Sequence, residues 1–222
     1  MYRRMLFSLA LILSVICSFV NAQECAPPKI VVDAKPNNLF SPEQEMILGD
    51  LIIQQQARTL HLVRDDKLLA YINEIGERLI RHLPPTGLKF QFHLIDLQQN
   101  NAFNIAGGHI FISRKLIAFT KNEDELAGVM AHELGHATVH HQAVDISNEL
   151  RSILNVTELG DRKDITEKYN LLMERYRTRK YSPKSSLSDE HQLEADKIGV
   201  FAMVAAGYDP AALSGGMQPV SR

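Results

Sequence analysis

The sequence predicts a mostly helical domain that carries a small sheet, and three observations predict it. Apolar residues recur at helical spacing over long stretches that begin on recognisable caps. Two short segments are instead strand-like, bounded by Pro84-Pro85, Asn100-Asn101 and Gly107-Gly108. The third is the run Ala131-His132-Glu133-Leu134-Gly135-His136, whose two histidines lie four apart. On a helix they stack one turn above the other and project from one face.

The chain has 222 residues, 45% of them hydrophobic, enough for one domain with a real core. Residues 1–22 are expected to be a signal peptide. Arg3-Arg4 is followed by an apolar run from Met5 to Val20 and the small-residue site Val20-Asn21-Ala22. That run is short for a membrane span, although an uncleaved anchor is the competing reading. Export places the protein in the periplasm or another extracytoplasmic space, and peripheral contact with a membrane stays open. The 24 basic and 26 acidic residues give a formal charge of −2, and loss of Arg3 and Arg4 makes it more acidic. No nucleic-acid partner is expected from that balance. With Cys17 removed, Cys25 is the only thiol left, so no internal disulfide is expected.

Residues 23–40 are polar, contain Pro27, Pro28 and Pro36, and are expected to be a linker to a domain spanning 41–222. Ser41-Pro42-Glu43-Gln44 combines an N-cap, a proline at the first helical position and a capping-box glutamine. The helix beyond carries Ile47, Leu48, Leu51 and Ile52. A second helix runs from Asp65-Asp66 to about His82, stopped by Pro84-Pro85. Leu88 to Leu94 alternates apolar with polar, the mark of a half-buried strand. Asn100 to Phe103 is expected as a turn, and His109 to Ile112 as a second strand after the glycine pair. An extended peptide could pair with that strand's edge.

Asn122 followed by Glu123, Asp124 and Glu125 starts the histidine helix. Leu126, Val129, Met130, Leu134 and Ala137 would bury one side of it, and Gly135 would leave space near a metal. Two imidazoles so placed can grip one tetrahedral zinc ion, with Glu133 reaching a water beside it. The alternative is a core helix that happens to carry two histidines. His140 and His141 could add ligands to a metal but, at the helix end, are expected to face solvent. Helices are expected around Val144–Leu154 and Ile165–Tyr176, and the basic run Arg175, Arg177, Arg179, Lys180 reads as a solvated face. Tyr181 to Ser188 is expected as a loop. A last helix spans Asp189–Ala206 and stops at Gly207, and the tail from Ser214 is expected to be disordered.

Several dispersed landmarks stand in order: Leu39-Phe40-Ser41 with Glu43 and Gly49, Asn101-Ala102-Phe103 with Gly107-Gly108, Asp124-Glu125-Leu126-Ala127, His132 to His136, Glu194-Ala195-Asp196 and Ala206 to Pro210. On these the chain resembles the gluzincin metallopeptidases of the CAAX prenyl protease family, in particular the exported bacterial branch that includes β-barrel assembly-enhancing proteases. The resemblance implies an α+β, zincin-like fold with one catalytic zinc per chain, held by His132 and His136. It implies Glu133 as catalytic base and Asp196 as the carboxylate that orients a ligating histidine. It also implies a glutamate as third ligand, four residues before Asp196, where this chain has Gln192. Glu194 has the right chemistry but lies about 200° round the helix from Gln192. Gln192 and Glu194 are both candidate metal ligands, with Glu190 beside them, and a carboxylate is the preferred reading.

A further helix and a histidine or arginine near the oxyanion are also implied, but only twelve residues follow Pro210. Loss of that electrophile would cost about two to three orders of magnitude in rate. A truncated chain and a decayed member are therefore both open readings. Two functions follow: a zinc endopeptidase acting on extended or misfolded exported proteins in quality control, or an impaired member that clasps peptides without efficient turnover.

Overall fold

The computed structural model describes residues 37–179 and 188–216. The expected signal peptide, most of the linker, and the loop from 181 to 187 lie outside the described residues. Eight helices and three strands are described: α1 (Pro42–Gln56), α2 (Asp66–Ile80), β1 (Gln91–Ile95), β2 (Ala102–Ile105), β3 (His109–Ser113), α3 (Arg114–Phe119), α4 (Glu123–Thr138), α5 (His141–Leu154), α6 (Arg162–Arg179), α7 (Asp189–Ala206) and α8 (Ala212–Gly216). The architecture is α+β, mostly helical, with one three-stranded sheet.

The strand order is β1-β3-β2, so β3 is central. It pairs parallel with β1 (Gln91 opposite His109) and antiparallel with β2 (Ala102 opposite Ile112). Every residue of β3 is buried, and its faces alternate between two cores. Ile110 and Ile112 join Phe92 and Leu94 against α2, α4, α7 and α8, whereas Phe111 joins Ile95 and Ile105 against α1, α5 and α6. The outer edge of β1 is covered, because Leu62 bridges Ile95 and Val63 N–H donates to Leu94 O at 2.8 Å. This leaves β2 as the edge that borders the histidine helix. The segment expected as a turn at Asn100 to Phe103 thus enters a strand at Ala102, and β3 has no free edge for a peptide.

Helix α4 begins where its cap predicts, with the Asn122 side chain accepting from Glu125 N at 2.8 Å. It is buried nearly all round rather than along one side. Gly135 is not space beside a metal. A Cβ there would lie 2.5 Å from Ala195 O, so α7 crosses α4 backbone against backbone at that point. Gly199 repeats the contact one turn on, against Ala131. Past the Gly207 cap, Arg78 donates to Ala206 O at 2.7 Å and stacks over Tyr208. Asp209 N–H reaches Asp124 Oδ1 at 3.1 Å. The tail is ordered through α8, whose Leu213 backbone packs against Gly128. Residues 217–222 lie outside the described residues.

Candidate metal centre

The crossing of α4 and α7 sets the site. His132 and His136, 6% and 2% exposed, face one another with their Nε2 atoms 3.0 Å apart. Because α7 lies so close, Asp196 reaches His132 Nδ1 at 2.7 Å. His136 Nδ1 lies 2.8 Å from Nδ1 of His141, and His141 Nε2 lies 3.0 Å from Glu194 Oε2.

His141 was expected at the surface and is instead 1% exposed. The reason is one backbone angle: His140 adopts φ 56°, the left-handed region, so α5 starts immediately and turns His141 under His136. Histidine tolerates this region better than a β-branched residue would. Buried Glu45 holds the bend, with Oε2 2.6 Å from His140 Nδ1 and Oε1 accepting from Gly107 N.

For neutral rings, the hydrogen bonds assign the protons. A carboxylate only accepts, so His132 donates Nδ1–H to Asp196 and leaves a lone pair on Nε2. Likewise His141 donates Nε2–H to Glu194, its Nδ1 accepts from His136 Nδ1–H, and His136 also has its lone pair on Nε2. With both rings neutral, two Nε2 lone pairs face each other at 3.0 Å, an arrangement that a cation between them relieves. Zinc–nitrogen bonds of about 2.0–2.1 Å span such a gap, so the two rings fit a divalent ion. Burial, with the His132 and His141 rings beside it, pushes His136 down to about 3, keeping the ring neutral as a ligand must be.

No carboxylate among the described residues completes the histidine pair as a third ligand. Among the described residues no group of three or more His, Cys, Asp and Glu side chains converges as a metal cage. Gln192 lines the same pocket and its side chain pairs with the His136 ring. Glu194 is two imidazole rings away from the paired Nε2 atoms, and Glu190 is exposed. The pocket holds about 480 Å³ between Asn101–Ile105, His132, Glu133 and His136. A hollow of about 1080 Å³ between Arg58 and Ala118 shares no lining residue with it and lacks such converging groups. Burial raises the Glu133 carboxyl above the usual range, opposed by His132 and by the Asn104 N–H that donates to it. Asn104 is the site residue that sequence reasoning missed, and His141 is the one it placed at the surface. The only local signal for His141 was its place directly before the amphipathic pattern of α5.

The chain matches the profile of peptidase family M48 over residues 66–215. It belongs to that family. The family is one of metal-dependent peptidases, and the matched residues include both histidines, Glu133, Gln192 and Asp196. The β-barrel assembly-enhancing protease of Yersinia pestis is 30% identical over 192 residues, 82% of this chain and 38% of that protein. The protease of the same name from Escherichia coli K12 is 31% identical over 175 residues, 77% of this chain and 36% of its own. The mitochondrial metalloendopeptidase OMA1 of Schizosaccharomyces pombe is 28% identical over 148 residues, 63% of this chain and 40% of its own. The match thus spans well under half the length of these relatives.

Proposed function

We propose that this family member is a zinc endopeptidase of gluzincin plan that cleaves extended stretches of unfolded or misassembled exported proteins. The observation that carries the proposal is the approach of His132 Nε2 and His136 Nε2 to 3.0 Å, with the Nδ1 of each ring already held by a partner. These two rings and the Gln192 amide oxygen would hold the ion. A bound zinc supplies Lewis acidity and brings the pKa of its water from 15.7 to about 7.

The chain's own residues do the rest. Glu133 takes the proton of the attacking water and returns it to the leaving amine. Its raised carboxyl suits that exchange, since a base must also be able to serve as the acid. Asn104 N–H steadies the carboxylate from the edge of β2. With period two, Ala102 and Asn104 turn their backbone groups away from β3, so an extended substrate would add along β2. Export rests on the basic-then-apolar stretch of residues 1–22, and periplasmic quality control on the likeness to assembly-enhancing proteases.

Glu133→Gln is the test: casein cleavage should fall by about 10²–10⁴-fold while zinc stays near one per chain. Activity retained in that variant ends the mechanism. Gln192 favours a second reading, a peptide-binding member with weak metal, because a neutral oxygen leaves the site one negative charge short. Absent zinc with measurable peptide binding would support that reading instead.

A further inference from the structure

We propose that Glu194 and His141 form a positioning relay that fixes the ring tautomer of His136, and through it the grip of the histidine pair on a divalent ion. The proposal rests on the metal-centre reading above and deepens it. The two facing histidines are not supported alike. His132 has a carboxylate directly on Nδ1, whereas His136 has one only through a second imidazole. His141 is therefore the acceptor that keeps the His136 proton on Nδ1 and off the atom that would meet the ion.

The relay is a built feature rather than a chance contact. Both nitrogens of His141 lie within hydrogen-bond distance of a partner, at 2.8 and 3.0 Å. Its ring stacks on His191 at 4.0 Å with 17° between planes, and meets His136 edge-on at 5.0 Å. Packing thus leaves the ring little freedom to swing away or to flip. Glu194 comes from α7, the same helix that supplies Asp196, so one helix carries both orienting carboxylates. The left-handed turn at His140 exists in the fold at the one place that brings His141 into line. Without the acceptor, His136 would divide between its two tautomers, and one of them presents an N–H to the ion. Groups that orient ligating histidines commonly change metal affinity by about 10–100-fold.

The experiment uses the full chain, with zinc affinity read by competition against a chromophoric chelator and ring tautomers read by ¹⁵N NMR of the metal-free protein. His141→Phe keeps a ring against His191 but cannot accept, so zinc affinity should fall by about 10–100-fold, with His136 shifting towards Nε2–H. His141→Gln restores an acceptor oxygen and should recover most of that loss. Glu194→Ala, whose side chain is 45% exposed, should move both readouts the same way by a smaller factor without disturbing the core. Unchanged affinity and unchanged tautomer in His141→Phe and Glu194→Ala, beside a wild type that binds zinc tightly, overturn the relay alone. Should His141→Phe fail to fold, Glu194→Ala decides on its own. A wild type that takes up no zinc overturns the metal-centre reading and the relay with it.

Discussion

Two pairs of imidazoles among the described residues bring ring nitrogens to 3.0 Å, and only one of them suits a metal. His93 Nε2 and His109 Nδ1, on β1 and β3, are 3.0 Å apart, the same separation as the Nε2 atoms of His132 and His136. His109 Nε2 lies 4.0 Å from Asp50, too far for a hydrogen bond, so among the described residues no hydrogen bond holds a proton on that nitrogen. One histidine of that pair can donate to the other, and the contact is an ordinary hydrogen bond. In the α4 pair the remaining ring nitrogens are committed to Asp196 and His141, so with both rings neutral neither Nε2 has a proton to offer. Proximity does not make a metal site; the destination of the other protons does.

His136→Ala should abolish zinc uptake, whereas His93→Ala should leave about one zinc per chain by metal analysis. Zinc lost from His93→Ala would break the contrast. Gly135→Ala sharpens it by attacking the support: its Cβ would meet Ala195 O at 2.5 Å. We expect a loss of about 1–3 kcal/mol in urea unfolding, with weaker zinc binding alongside. Asp196→Asn keeps an acceptor on His132 but removes the charge, so zinc affinity should fall about tenfold in chelator competition.

The smallest effect belongs to the strand pair. Burial, with the His109 ring beside it, pushes His93 down from 6.5 to about 4. Between these values the unfolded chain binds a proton that the folded chain refuses, so stability rises with pH across that window and is lost on acidification. His93→Gln should flatten part of this slope in melting curves of the metal-free protein between pH 6.5 and 4, and an unchanged slope would refute the assignment.

What was legible in the sequence was what local chemistry decides. Ser41 and Asn122 cap helices where their side chains predict, and α7 has the expected ends. His132, Glu133 and His136 share one helix, so their spacing alone placed them. What tertiary contact decides was not legible. The central place of β3 depends on which strands flank it, and α8 forms over Gly215-Gly216 because Leu213 docks on Gly128. Helix α3 escaped notice because its signal is brief, a Ser113 cap and six residues. The burial of His141 turns on a single left-handed residue whose partner, Glu45, is 95 positions away in sequence.

The backbone contact at Gly135 and Ala195 has a consequence for how the pocket can evolve. No rotamers intervene there, so the angle between the two helices is written in covalent geometry and does not await the ion. Arrival of the metal then orders little, and little of its binding energy is spent on reshaping the protein. The residues proposed to meet substrate lie on β2 and the nearby helix ends, away from that contact, so selectivity could drift while the helix crossing that supports the histidine pair is inherited intact.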